Sequence, residues 1–203
     1  EIDDFIEVMV SHTSASATLR FQTGLNSGAT DESFGVDNVL VLPMLASDDC
    51  STQSSIEGVL CTPGLFDGFS DGIDDWTSTG PPLTTSGCEG RGQFLGGPNV
   101  LTTGVTARGQ SISINKTYEL SAFPHDALLI SMDFIKIGAW SGQAVNVYVD
   151  GIGVWSEFMS GDPGPTACSS WTETIEHIEL RVDDIEDSVT ITVDTSVGLS
   201  SGG

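Results

Sequence analysis

Four aspartates lie close together in one short segment that also contains two glycines: Asp67, Asp71, Asp74 and Asp75, with Gly68 and Gly72. Carboxylate oxygens, together with backbone carbonyls from a loop that glycine allows to bend, are the hard ligands that Ca²⁺ prefers. The spacing differs from that of an EF-hand loop. Two interpretations stay open, a calcium site and an acidic loop that is only solvated.

Tryptophan suggests a second chemistry, the stacking of an aromatic ring against a sugar. Of the four tryptophans, Trp155 lies in an alternating, strand-like segment, and we expect it in the core. Trp140 is followed by Ser141 and Gly142, as in a loop. Trp140 is therefore the candidate for an exposed ligand-stacking residue.

Catalytic patterns are absent from the sequence. His12, His125 and His177 belong to separate turns or strands, so we expect no shared site. The sequence has no nucleophile elbow, phosphate-binding loop or zinc-protease motif. Acidic pairs such as Asp183-Asp184 and Glu186-Asp187 fall in a polar turn, where we expect them to be solvated. We therefore expect that the protein is not an enzyme.

The charge excludes several partners. Six basic residues face 29 acidic ones, which gives a formal net charge of −23. Such a surface repels nucleic acid and anionic membranes. No apolar run reaches the length of a membrane-spanning helix, so we expect no membrane insertion. The acidity suits a saline or calcium-rich exterior in which cations screen it.

Cysteines and a glycosylation sequon also indicate an extracellular protein. The chain has an even number of cysteines, and Asn115-Lys116-Thr117 is an acceptor sequence for N-linked glycan at Asn115. We favour disulfides between Cys50 and Cys61 and between Cys88 and Cys168, although four cysteines allow other pairings.

A sequence repeat links the two ends of the chain. Strand-like segments at 5–10 and 17–21 precede Gly-Leu-Asn-Ser-Gly, and similar segments at 177–182 and 189–193 precede Gly-Leu-Ser-Ser-Gly. The offset is 172 positions across the strands and 174 at the glycine motif. This shared order predicts a true repeat. Two unrelated hairpins in one globular domain are the alternative.

The first copy continues into a final strand with the apolar residues Phe34, Val36, Val39 and Val41. We therefore divide the chain into three parts. Residues 1–43 are the C-terminal strands of a preceding or neighbouring unit, 44–63 are a cysteine-containing linker, and 64–203 are a sandwich that lacks its final strand. The chain then belongs either to a tandem array or to subunits that donate a closing strand to a neighbour. Both give a head-to-tail polymer.

Short apolar runs between Gly, Ser and Thr predict an all-β fold of about eight strands, an antiparallel β-sandwich or jelly roll. The run 127–135 is expected to be a central strand, and 144–149 and 152–158 form a hairpin around Asp150-Gly151. Shorter strands are expected at 111–114 and 118–121, and a Gly/Pro-rich loop at 78–105.

Several segments resemble the jelly-roll repeats of very large secreted surface proteins from protists and bacteria: Met132-Asp133-Phe134, Trp140-Ser141-Gly142, 147–151, Val154-Trp155, 31–39, 66–69 and Trp76. Such repeats are similar to carbohydrate-binding modules and to building blocks of extracellular filaments, including flagellar hairs (mastigonemes). Ser141 departs from the pattern, because an acidic residue often follows the tryptophan, and this weakens a metal or ligand role for that loop.

These features together predict a non-enzymatic structural subunit of an extracellular filament or surface coat, assembled head to tail through β-strand completion. Its partner is then another copy of itself. The alternative is a calcium-dependent carbohydrate-binding or adhesion module, with calcium as the cofactor and glycans as the ligand.

Overall fold

The computed structural model describes residues 6–11, 17–18, 32–44, 65–88, 92–101, 112–123, 125–138, 140–161, 172–183 and 186–196. All regular secondary structure in these ranges is β-strand. The strands are β1 (Ile6–Ser11), β2 (Ala17–Thr18), β3 (Glu32–Met44), β4 (Leu65–Asp67), β5 (Thr77–Ser78), β6 (Thr85–Cys88), β7 (Gly92–Leu101), β8 (Ile112–Glu119), β9 (Ala127–Gly138), β10 (Trp140–Val149), β11 (Ile152–Gly161), β12 (Glu173–Asp183) and β13 (Ser188–Ser196).

These strands form two sheets that pack face to face. The first sheet has the order β1-β12-β9-β3-β7-β6, and β4 also pairs with β3. The second has the order β11-β10-β13-β8-β5, and β2 pairs with β13. Neighbouring strands are antiparallel except in the pairs β1–β12 and β2–β13, which are parallel. The predicted β-sandwich is confirmed, while the jelly-roll connectivity stays a prediction.

Alternation of apolar and polar residues positions the core between the sheets. In β9, Leu128, Ile130, Met132 and Phe134 are fully buried, and the residues between them are half-buried. Because successive side chains of a strand point to opposite faces, one face of β9 lies in the core. As expected from the apolar sequence, β9 is an interior strand, with β12 on one side and β3 on the other.

The predicted hairpin is present as β10 and β11. Asp150 and Gly151 join the strands with φ angles of 50° and 80°. Positive φ at both central residues is typical of a type I′ turn, whose twist matches that of the flanking strands. The side chains of Val147 and Trp155 lie opposite each other in this hairpin and are buried, as predicted for Trp155.

Strand β3 occupies the interior of the first sheet. It pairs with β9 on one side and with β7 and β4 on the other. The predicted strand-completion residues Phe34, Val36, Val39 and Val41 all have 0% exposure. A bulge between Asp37 and Leu40 keeps the apolar residues of both halves directed to the core. The segment therefore closes a sheet of its own chain here, and its origin in a neighbouring unit stays a prediction.

The prediction of a loop at 78–105 is wrong, because this stretch contains β6 and β7. Gly96 and Gly97 interrupt the β pattern in the sequence, yet both lie within β7 with positive φ. A Cβ atom at position 96 would lie only 2.4 Å from a methyl carbon of Leu101, so glycine allows the strand to bend there. The two short strands expected around position 115 are also wrong, because β8 runs unbroken from Ile112 to Glu119.

The two repeat copies lie next to each other. Strand β1 pairs with β12 from Ile6 opposite Ile178, and β2 pairs with β13 from Ala17 opposite Val189. Both parallel pairings have the offset of 172 positions that relates the copies in the sequence. Each copy also passes from the first sheet to the second in the same order.

Replacing Phe34 should test the contribution of β3 to the core. Phe34 stacks on Phe134 with ring centroids 5.4 Å apart. We expect Phe34→Ala to lower the free energy of unfolding by about 3–5 kcal/mol, because it leaves a cavity in a closed core. Phe158→Ala is the matched control, since Phe158 is 69% exposed. Equal shifts of the two variants in urea unfolding would contradict the placement of β3.

Candidate functional site

The carboxylate of Asp67 is buried where the two sheets meet, and three side chains donate hydrogen bonds to it. Lys116 Nζ lies 2.7 Å from Oδ1. Trp76 Nε1 donates to Oδ2 at 3.1 Å, and the hydroxyl of Tyr118 donates to the same oxygen. Both carboxylate oxygens are therefore occupied, as a buried charge requires.

Strand geometry explains how residues so far apart in sequence come together. Asp67 ends β4, which pairs with β3 through Val39. Lys116 and Tyr118 are two residues apart on β8, so their side chains point to the same side of the second sheet. The cluster of Asp67, Trp76, Lys116 and Tyr118, here called the Asp67 cluster, thus connects the first sheet to the second.

Tyr118 is held in its neutral form. Burial of its phenol raises the pKa far above the ordinary value of 10.0, and the charge of Asp67, the hydrogen bond to Asp67 and the charge of Asp74 raise it further. A neutral phenol keeps its proton for donation to the carboxylate. Lys116 Nζ also lies 4.9 Å from the centre of the Tyr118 ring, which adds a cation–π contact.

A cavity of about 470 Å³ opens beside the Asp67 cluster. It is lined by Phe66, Asp67, Gly68, Phe69, Ser70, Asp71, Asp74, Asp75 and Lys116. Phe66 is exposed at its rim, whereas Phe69 is buried against the ring of Trp76. Asp74 and Asp75 have φ angles of 47° and 66°, a conformation that aspartate tolerates better than most residues.

The structure separates the four predicted calcium ligands. Asp67 is buried and already bonded to three donors, whereas Asp71, Asp74 and Asp75 are exposed along the cavity. Within the described ranges, no group of three His, Cys, Asp or Glu side chains is arranged to bind a metal ion. A cation at Asp67 would have to compete with these donors, and with the charge of Lys116 in particular. A calcium site on the exposed aspartates stays a prediction.

Trp140 is not the exposed platform that the sequence indicates. It is 2% exposed, its Nε1 donates to the carbonyl oxygen of Ile137 at 3.1 Å, and its ring meets Phe134 edge-on at 5.8 Å. Ser141 and Gly142 extend the same strand, β10, so the residue lies at a strand start and not in a loop. Its ring is therefore part of the core, and a ligand cannot stack on it.

Asn115 is half-buried in the middle of β8, where its Oδ1 accepts a hydrogen bond from the hydroxyl of Thr77 at 2.9 Å. Its glycosylation stays a prediction. Of the four predicted disulfide cysteines, Cys50, Cys61 and Cys168 lie outside the described residues, and Cys88 ends β6. The disulfide pairing therefore stays a prediction as well.

A serine, a histidine and an aspartate meet on the first sheet, in an arrangement that the sequence does not predict. His177 Nδ1 lies 2.7 Å from Asp133 Oδ1, and His177 Nε2 lies 3.3 Å from the hydroxyl of Ser131. Asn38 Nδ2 donates to the other oxygen of Asp133 at 2.8 Å. The pairing of β12 with β9 places His177 directly opposite Asp133.

This trio has the order of contacts of a nucleophile, a base and an orienting acid. Ser131, however, belongs to an interior strand whose backbone N–H groups face the ladders to β3 and β12. An oxyanion needs free donors beside the nucleophile, whereas Ser131 itself is paired with Glu179 on one side and Leu40 on the other. We interpret the trio as a polar network that fixes the bulge at Asn38.

Comparisons with known proteins add no relative: no family model, no curated protein and no solved structure matches the chain. In the part of the chain that the structure describes, no helix is long and apolar enough to cross a membrane.

Alkaline titration should report the buried phenol. The chain has two tyrosines, so Tyr148→Phe leaves Tyr118 as the only one. The pKa of Tyr118 is raised in the folded state, so above pH 10.0 the phenol ionises in the unfolded chain and not in the folded one. The contribution of Tyr118 to the free energy of unfolding is therefore present below pH 10.0 and is lost as the pH rises further. We expect tyrosinate absorbance in this variant to appear only together with unfolding, followed by circular dichroism. Ionisation near the ordinary pKa in a folded chain would contradict the described site.

Proposed function

We propose that this protein is a structural subunit of an extracellular filament or surface coat, in which subunits join head to tail by completing one another's β-sheets. The observation that carries the proposal is the position of β3. This strand fills the interior of the first sheet, although the residues that precede it in the chain repeat the sequence of β12 and β13.

The sheet depends on β3 for closure. Removing it would expose the backbone N–H and C=O groups along the facing edges of β9, β7 and β4. Such unpaired edges bind strands of other chains readily. Loss of the four buried core residues of β3 would also leave an apolar gap between the sheets. The position can therefore be filled by a β3 strand of the same chain or by that of a second copy.

The repeat supports exchange between copies. Strands β1, β2 and β3 alternate between the first, second and first sheets, and β12 and β13 begin the same alternation. In the chain, β3 follows β1 and β2. A β3-like strand of a neighbouring subunit would follow β12 and β13 in the same order of sheets. The two copies also lie side by side in register, with β1 beside β12 and β2 beside β13.

Surface chemistry supports a location outside the cell. The strong negative charge favours a medium in which cations screen it, and glycan at Asn115 together with disulfides would protect the chain from proteases. In this proposal the protein has no catalytic role, and its partner is a second copy of itself.

Mixed cross-linking should detect a β3 strand inserted into another subunit. Leu40 on β3 lies opposite Ser131 on β9. Chains carrying Leu40→Cys and chains carrying Ser131→Cys are unfolded, mixed, refolded together and oxidised. We expect disulfide-linked dimers with the bond between positions 40 and 131, identified by peptide mass spectrometry. The double variant should give a ladder of polymers on a denaturing gel.

The control is a pair of cysteines within one hairpin. Its two strands are joined by a two-residue turn, so neither strand can pair with the other strand of a second chain unless the turn opens. Asn146 and Ser156 are opposite each other within the β10–β11 hairpin. Mixed chains with Asn146→Cys and Ser156→Cys should therefore give no dimers with a bond between these positions. If the Leu40 and Ser131 mixture also gives none, and the double variant closes only within single chains, the polymer proposal is wrong.

A calcium-dependent adhesion module is the second candidate. The feature that favours it is the cavity with exposed carboxylates of Asp71, Asp74 and Asp75 and the exposed ring of Phe66 at its rim. Exposed carboxylates around one cavity attract a hard cation, and an exposed aromatic ring at its rim offers a surface for a sugar.

Calcium titration separates this candidate from a solvated loop. If calcium binds, it should raise the melting temperature of the wild type but not that of the Asp71→Asn, Asp74→Asn, Asp75→Asn triple variant, because binding to the folded state alone stabilises it. Magnesium serves as the matched ion. Equal responses of the two proteins, or no response, would leave the loop without a cation role.

A further inference from the structure

We propose that Lys116 and Asp67 join covalently: the side-chain amine and carboxyl group condense to an intramolecular amide, an isopeptide bond that links the two sheets. The bond would be a modification of the folded chain that requires no other molecule. It stands on the geometry of this pair and does not depend on the assembly proposed above.

The reacting atoms are already in contact. Lys116 Nζ lies 2.7 Å from Asp67 Oδ1, and the two side chains are 13% and 8% exposed. Lys116 belongs to β8 in the second sheet and Asp67 to β4 in the first. Holding two reactants together in a fixed orientation replaces a bimolecular encounter and so removes part of the barrier to amide formation.

Amide formation requires that the ion pair first become neutral. A salt bridge removed from water loses the hydration of both charges, and the attraction between them recovers this only in part. Transfer of one proton from the ammonium group to Oδ1 removes both charges and produces a neutral amine beside a carboxylic acid. These are the forms that react with each other.

The other carboxylate oxygen, Oδ2, lies in a preorganised oxyanion hole. Trp76 Nε1 and the Tyr118 hydroxyl both donate to Oδ2. When the amine attacks Cγ, negative charge develops on the carbonyl oxygen, and two fixed donors stabilise it where water is largely excluded. Burial keeps the Tyr118 phenol protonated for this purpose. Trp76 and Tyr118 thus act as catalytic residues of the self-modification.

Atoms and charges balance without a co-reactant. The new bond joins Lys116 Nζ to Asp67 Cγ, and the bond between Cγ and Oδ1 breaks. Oδ1 leaves as water with the proton first transferred from the ammonium group and a second proton from the attacking nitrogen. Oδ2 becomes the amide oxygen and keeps both hydrogen bonds. One positive and one negative charge disappear together, so the net charge is unchanged.

Mass spectrometry of the full chain tests the proposal. The protein is made in bacteria, so that Asn115 carries no glycan, and it is reduced and denatured before measurement. We expect a mass lower than that of the sequence by one water, and a protease digest with one branched peptide that contains positions 67 and 116. A wild-type mass equal to that of the sequence overturns the proposal.

Two lysine variants locate the lost water. The chain has only two lysines, Lys116 and Lys136, and both are mostly buried. Lys116→Arg keeps the charge but should abolish the loss, whereas Lys136→Arg should retain it. Asp67 precedes Gly68, and a succinimide at such a step also loses one water. A loss that persists in Lys116→Arg assigns the water to a succinimide at this or another Asp-Gly step, such as Asp71-Gly72 or Asp150-Gly151, and overturns the proposal.

Tyr118→Phe tests the oxyanion site separately from the fold. It removes the hydroxyl donor to Oδ2 and leaves the amine and carboxyl groups in place. We expect refolded Tyr118→Phe to lose water more slowly than wild type by about 10²–10³-fold, as for removal of an oxyanion donor in an enzyme. Equal rates in two folded proteins would overturn the catalytic role of Tyr118.

Discussion

A carboxylate removed from water must find donors for its lone pairs, and the interface of this sandwich is arranged around one such group. Asp67 comes from the first sheet, and two of its donors, Lys116 and Tyr118, come from β8 of the second. The third donor, Trp76, ends the acidic loop and packs on Phe69. Removing the partners of a buried charge costs several kcal/mol, about 3–5 for a single partner. One side chain therefore joins both sheets and the end of the loop beside the cavity.

Strand β3 imposes a second constraint of a different kind. The absence of β3 would open the middle of the first sheet. In the chain, however, β3 follows β1 and β2, whose sequence is repeated by β12 and β13. A globular protein has no evident need for two in-register copies of the same strand pair. In the proposed assembly, each copy leads into a strand that closes a sheet. This contrast between local closure and internal repetition is the reason that we propose a structural role.

The sequence was informative where a single strand determines its own environment. Alternation in β9 and β10 and the Asp150-Gly151 turn predict the centre of the fold, because a half-buried strand shows its periodicity directly. Strand β7 escaped prediction because Gly96 and Gly97 serve a bend within it. Trp140 was misplaced because its Ser-Gly neighbours belong to a strand. The donors to Asp67, and the contact of His177 with Asp133, depend on strands far apart in the chain, and no local pattern encodes them.

The length and double-sided pairing of β3 have a consequence for how such a polymer would respond to tension. Along β9 its register runs from Glu32 opposite Gly138 to Met44 opposite Ala127. A pull along the strand axis strains these backbone hydrogen bonds in shear, so that they resist together, whereas a pull at a free edge would break them one after another. Withdrawal of the strand is then slow, and durability of the joint between subunits is set by an unfolding rate and not by an equilibrium affinity. A filament made in this way would break by the rare opening of a whole sandwich.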